Sequence, residues 1–199
     1  MTLPMGNISC EHGPMHLLLR TLLLLITSRR RSRLSIWDNS SLPLRALPTD
    51  IDIAMHVNNG MYLSLMDLGR FDLMVRSGAW DLFRRKGWTP VVQAEQIAFR
   101  ASITLWQRYS LETRIIGLDD KCIWLEQRFV VDGQVCARGY VASRFVGTDG
   151  PVSNEEIIAA VRDGLGEDVP TDLVLPEWLH EWRVDVALPG SRRPAPHLW

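Results

Sequence analysis

This chain has no excess of either sign of charge. Lys and Arg number 22 against 23 Asp and Glu, a formal net charge of −1, so no global field draws it to nucleic acid. Cysteine is scarce. Cys10, Cys122 and Cys136 are odd in number and share no metal-ligand spacing, which argues against a disulfide framework or a metal centre and points to a reducing cytoplasm. Cys122 and Cys136 lie in strand-like runs, where small core residues are expected. No Gly-rich phosphate loop or internal repeat is present, and no cofactor is implied. Long apolar runs are also lacking: "MHLLLRTLLLLITSRRRSR" offers only about eleven apolar residues, interrupted by Arg20, against the roughly 20 of a spanning helix. No basic region precedes that run and no small-residue cleavage site succeeds it, so it matches a signal peptide poorly.

The residues that are present describe a folded protein. The 199 residues, 46% hydrophobic and 23% charged, suit one domain with short extensions. Of eight tryptophans, Trp37, Trp80, Trp88, Trp106 and Trp124 lie in or beside apolar runs, where packing is expected. Residues 1–33 form a leucine-rich, basic extension; residues 1–14 differ in character from the rest of the chain, and Met15 is an alternative start. The cluster Arg29, Arg30, Arg31 and Arg33 after the leucines suits peripheral contact of residues 15–33 with an anionic membrane. A helix packed on the domain with a solvated basic end is the simpler explanation.

The pattern then alternates. Residues 41–48 read as a short strand. From Asn59 to about Val75 the spacing is helical, with Tyr62, Leu65, Met66, Leu68, Gly69 and Leu73 on a broad apolar side. Gly69 there would let a strand approach the helix closely. "AWDLFRRKG" predicts a short second helix. Four strand-like runs come next, within 89–103, 109–118, 121–131 and 134–147. The last two are joined by Asp132-Gly133, the strongest local hairpin signal. Ser153 and Glu156 form a capping box for a helix over 153–166. Residues 167–199 read as a polar tail with one or two helical turns, in which Trp178 and Trp182 could cover a surface patch. About five antiparallel strands and one long helix predict an α+β domain over 34–166, its sheet curled around the helix.

Between the first strand and that helix lies "LPTDIDIAMHVNNGMYLSLMDLGR". A helix N-terminus exposes unpaired N–H groups and partial positive charge. A helix starting near Asn58 or Asn59 could therefore hold a carbonyl oxygen as it becomes an oxyanion. Asp52 on the preceding turn could approach the same carbon as general base or nucleophile. Each residue also has a simpler reading: Asp50 as a turn or cap residue, His56 as a base or as a bond to the turn's backbone, Asn58 and Asn59 as caps.

The pattern D-x-D-x-x-x-H-x-N-N-x-x-Y, here Asp50, Asp52, His56, Asn58, Asn59 and Tyr62, resembles the signature of hotdog-fold acyl-CoA thioesterases, in the branch of 4-hydroxybenzoyl-CoA thioesterase. The match continues through "LSLMDLGR" and the strands, over about residues 41–147. The resemblance implies a hotdog fold, an antiparallel sheet wrapped around one long helix, and hydrolysis of an acyl-CoA thioester to free acid and CoA. It implies Asp52 as the catalytic carboxylate and the Asn59 N–H as the donor to the thioester carbonyl. His56, Asn58 and Tyr62 would shape the substrate side of the turn and helix start. It also implies a homodimer or homotetramer, without metal or cofactor. Many relatives carry Gly directly before the His; Met55 stands there in this chain and implies a somewhat different turn.

Other groups come into view around this motif. Asp67 lies eight residues along the helix from Asn59, about 12 Å at 1.5 Å per residue, too far to share one carbonyl. Glu95 or Gln96 could serve a site across a subunit interface, and Arg100, Arg108 and Lys121 could meet the phosphates of coenzyme A. A second function remains open: a hotdog protein that binds acyl-CoA or lipid without turnover. Hydratase chemistry has no His–Asp or His–Glu setting here to support it.

Overall fold

The computed structural model describes residues 15–189 and 193–195; Cys10, the start of the N-terminal extension and parts of the Pro-Arg-rich tail lie outside them. Helix α1 (Met15–Ser28) comes first, then strand β1 (Ser40–Arg45), a single 3-10 turn over Pro48–Asp50 and the 19-residue helix α2 (Asn59–Ser77). Next come α3 (Ala79–Arg85), β2 (Thr89–Phe99), β3 (Arg108–Leu118), β4 (Ile123–Val131), β5 (Gln134–Gly147), β6 (Gly150–Val152), α4 (Asn154–Leu165) and α5 (Glu177–Asp185).

The sheet is antiparallel in the order β1-β3-β4-β5-β2, with β6 pairing β5. Five strands match the expectation; the three-residue β6 is additional. It is too short to show any period in sequence. The β4–β5 hairpin turns on Asp132 (φ 47°) and Gly133 (φ 75°), the two positive φ values expected of Asp-Gly. Helix α2 is held in the curl of the sheet, burying Tyr62, Leu65, Met66, Leu68, Gly69 and Leu73. Gly69 is required by the approach. A Cβ there would stand 2.5 Å from Thr113 Oγ1 and 2.7 Å from Gln127 Nε2, closer than packed atoms tolerate.

A polar knot ties α1 and β1 to α2. Asp72 is fully buried and accepts from Ser28 Oγ at 2.6 Å, Ser40 Oγ at 2.6 Å, Arg31 at 2.8 Å and Arg76 at 3.3 Å. Both carboxylate oxygens are thereby engaged, as a buried charge requires. With Leu24 also buried, α1 is packed on the domain.

The tail departs from expectation. Helix α5, 9 residues long, docks on the outer face of the sheet, where Leu179 joins Ile116, Cys122, Trp124 and Ala142 in a second apolar cluster. Trp182 packs on Trp124 and Trp178 on Tyr140, at 6.3 and 5.4 Å between ring centroids, so both tryptophans do cover a patch. Trp106 corrects another expectation: it is 53% exposed, in a turn before β3 with φ 64°. Cys122 and Cys136 are buried free thiols, and burial above all pushes Cys122 up to about 11, which leaves it no thiolate at neutral pH.

Candidate functional site

The loop before α2 is a hairpin of three residues, Ile53, Ala54 and Met55. Met55 N–H donates to Asp52 O at 3.0 Å, Asp52 N–H donates to His56 O at 3.0 Å, and Ile51 bridges Val57. A three-residue loop of this kind places its last residue in the left-handed region. Met55 takes φ 62° and so adopts the backbone that glycine favours. Met55 thus stands in a left-handed turn although it is not glycine. Closure on both sides holds the residue in a conformation that costs a non-glycine side chain roughly 1–2 kcal/mol, and that side chain points to solvent at 57% exposure.

The hairpin treats its two aspartates differently. Asp50 is fully buried, paired with Arg20 at 2.8 Å and accepting from Leu47 N–H at 2.9 Å. Asp52 accepts one bond from Ala54 N–H at 2.9 Å, lies 3.5 Å from His56 Nδ1, and keeps 28% of its side chain exposed. The second motif aspartate is thus the one with an oxygen left for a substrate or a water.

Asn58 caps α2, its Oδ1 accepting from Gly60 N–H at 2.8 Å, in keeping with the simpler reading. Its own N–H donates to Asp50 O at 2.8 Å, and the Met61 N–H returns to Asn58 O at 2.9 Å. Between these satisfied neighbours, the Asn59 N–H has no partner among the described residues. Asn59 lines a cleft of about 180 Å³ with His56, Val57, Tyr62, Phe99, Arg100, Ala101 and Ser102; Asp52 is not in this lining and adjoins it through His56. Tyr62 is a floor residue. It is 2% exposed, and its ring meets Phe99 and Phe129 edge-on at 5.1 and 4.7 Å. Burial raises its pKa, with an opposing hydrogen bond at Ile103.

Other candidates fall apart spatially. Arg100 lines the cleft, with one guanidinium N–H donating to Val135 O at 3.0 Å. Arg108 and Lys121 do not line it; Lys121 pairs with Asp120 at 3.7 Å. Asp67 binds Arg70, whose other arm reaches Gln127 at 2.9 Å and Glu95 at 3.8 Å. Burial pushes the Glu95 carboxyl up, Arg70 opposes this and Asp67 adds to it. That cluster abuts an apolar cavity of about 140 Å³ between α2 and the sheet, bounded by Trp37, Phe71, Phe83, Val92, Leu125 and Phe145 among others. Sequence reasoning missed the cavity and Phe99, Ala101 and Ser102, because strand patterning does not reveal which ends meet. Among the described residues, Asp119, Asp120 and His180 have the spacing of metal ligands. Arg183 already binds both carboxylates, at 3.0 and 2.7 Å, so the group is a salt-bridged latch for α5.

The family model described as the thioesterase-like superfamily matches residues 46–182. Among curated proteins, THEM6 of Xenopus laevis is 38% identical over 84 residues, 42% of this chain and 41% of that protein. A probable thioesterase of Saccharomyces cerevisiae is 27% identical over 56% of this chain and 49% of that protein. The chain thus spans less than half the length of each of these relatives. Among solved structures, a probable thioesterase from Escherichia coli superposes with a TM-score of 0.58 at 19% identity, covering 63% of this chain and 98% of that one. A gentisyl-coenzyme A thioesterase gives 0.54 at 22% identity, over 62% and 99%. These likenesses show the hotdog fold.

Proposed function

The chain belongs to the thioesterase-like superfamily, and from that premise we propose that it hydrolyses an acyl-CoA thioester to the free acid and CoA. The observation that carries this reading is the contrast at the start of α2. The N–H groups of Val57, Asn58, Gly60 and Met61 are bonded, whereas that of the cleft residue Asn59 has no partner among the described residues. Asp52 is not itself a lining residue, but its carboxylate lies 3.5 Å from the cleft residue His56 and keeps one oxygen unbonded. The thioester carbonyl would accept from the Asn59 N–H, with the helix dipole stabilising the developing oxyanion. Asp52 would deprotonate an attacking water, or attack the carbonyl carbon itself. In either route water supplies the new oxygen of the acid and CoA leaves as its thiol. Arg100, a cleft residue, would meet a phosphate of CoA.

A second copy completes the reading. Strand β2 ends the sheet, with Val91, Val92 and Phe99 exposed. It runs from the apolar cavity, through Pro90 and Val92, to the cleft, at Phe99. Antiparallel pairing of two β2 edges would set the cleft of one protomer against the cavity of the other, giving the acyl group an apolar compartment. A homodimer, alone or within a tetramer, is the assembly this supports.

Binding without turnover is the competing reading. Met55 weighs little toward it, because its positive φ is one that glycine also adopts. Thiol release measured across short, long and aromatic acyl-CoAs decides between them. The wild-type chain should release CoA, and Asp52→Asn should lower kcat by roughly 10²–10⁴-fold with an unchanged melting curve. Full turnover in that variant would overturn the assignment to Asp52, and tight acyl-CoA binding with no thiol released would favour the binder.

A further inference from the structure

Helix α1 is amphipathic in the opposite sense from a helix that simply caps a core. Its inner face is fastened by Leu24, by Ser28 on Asp72 and by Arg20 on Asp50. Its outer face carries Leu19, Leu22, Leu23 and Ile26, between 54% and 60% exposed. The spacing is i, i+3, i+4, i+7, one continuous stripe. Isolated surface leucines need no explanation, but a contiguous stripe does.

The stripe ends in a cationic field. Arg29, Arg30 and Arg33 come after the helix and are exposed, as are Arg84, Arg85 and Lys86 at the end of α3. The two groups adjoin. Asp81 lies 3.5 Å from Arg29 and 3.9 Å from Arg84, and the Arg33 guanidinium lies over Gly78 at the α2–α3 junction. Among the described residues no helix is long and apolar enough to cross a membrane. A bilayer surface is apolar within and anionic at its headgroups, so it offers a complement to both halves of this face.

We propose that α1 and the basic field beside it dock the protein onto an anionic lipid surface, as at the cytoplasmic face of a membrane. The four apolar side chains enter the interface and the Arg–Lys cluster meets headgroup phosphates. The inner-face bonds fix the angle at which the rest of the domain is presented. This does not depend on the hydrolytic reading.

Vesicle sedimentation of the full chain tests it, with phosphatidylcholine vesicles containing or lacking phosphatidylglycerol. The chain should pellet with the anionic vesicles, less so as salt rises. Replacing the stripe (Leu19→Ser, Leu22→Ser, Leu23→Ser, Ile26→Ser) should weaken partitioning at least ~tenfold. Arg30→Glu with Arg85→Glu should weaken it ~25-fold or more on anionic vesicles, at about fivefold per lost cation, and leave phosphatidylcholine unaffected. Circular dichroism melts show whether each variant is folded, and a folded stripe variant that pellets like the wild type overturns the proposal. So does a wild-type chain that stays in the supernatant at low salt. A stripe variant that turns a larger oligomer into a smaller one, without vesicle binding by either, assigns the stripe to a second copy instead.

Discussion

Asp72 and Asp52 are the same residue type 20 positions apart, and the fold surrounds them in opposite ways. Around Asp72, two serines and two arginines converge from α1, β1 and α2 and the loop after α1, and no water reaches the carboxylate. Around Asp52, one N–H of its own turn is bonded and His56 stands 3.5 Å away. A carboxylate saturated by its fold has no bonding capacity left for a substrate. One held by a single local bond keeps that capacity at little cost to the fold. The difference separates a saturated carboxylate from an available one more sharply than sequence spacing does.

The comparison is broken first by removing the knot. Asp72→Ala leaves Arg31 and Arg76 near buried serines without their counter-charge. It should cost about 3–5 kcal/mol in urea unfolding, whereas Asp52→Asn should change stability by less than about 1 kcal/mol. Equal losses would mean that the Asp52 hairpin is structural too. The latch on α5 offers a milder version of the same contrast. Burial works to raise the Asp119 pKa, but bonds from the Lys121 and Cys122 N–H groups and the Trp124 indole, with the Arg183 charge, hold it below its ordinary value. A depressed folded pKa contributes stability that is present above the unfolded value of 3.8 and lost as pH falls through the folded one. Proteolysis at 177–185 should therefore be slow at neutral pH and rise below about pH 4. Arg183→Ala should bring release to neutral pH, with a loss of roughly 3 kcal/mol. The smallest effect belongs to the hairpin. Met55→Gly relieves the left-handed strain and should stabilise the chain by about 1 kcal/mol. Turnover should be unchanged if Met55 keeps the turn as glycine would.

Where the signal is local, the sequence is legible. Asp132-Gly133, the Ser153–Glu156 capping box and the apolar side of α2 each depend on residues within a turn or two, and each appears as expected. Asp52 and Asn59 stand out in sequence because they lie seven residues apart on one loop. Features that depend on distant partners stay hidden. Asp72 sits at the core-facing spacing Leu65, Gly69, Asp72, Arg76, a mark of a buried charge, but its partners Ser28, Arg31 and Ser40 are 32–44 residues away. The cavity and the cleft are made of strand ends brought together by register. The tail reads as polar because, among its described residues, Leu179 is the one apolar side chain that reaches full burial, amid charged neighbours.

Helix α5 has a consequence for the birth of the molecule. The sheet is complete in sequence at Gly147, or Val152 with β6, yet Trp124, Ile116 and Ala142 on its outer face pack against Leu175, Leu179 and Trp182, in and just before the helix that ends at Asp185. At about 5–20 residues per second of synthesis, the finished sheet waits roughly 2–8 s for the cover to arrive. During that interval a nascent chain presents tryptophan and isoleucine to its surroundings. The arrival of α5 thus closes an adhesive interval in the chain's emergence.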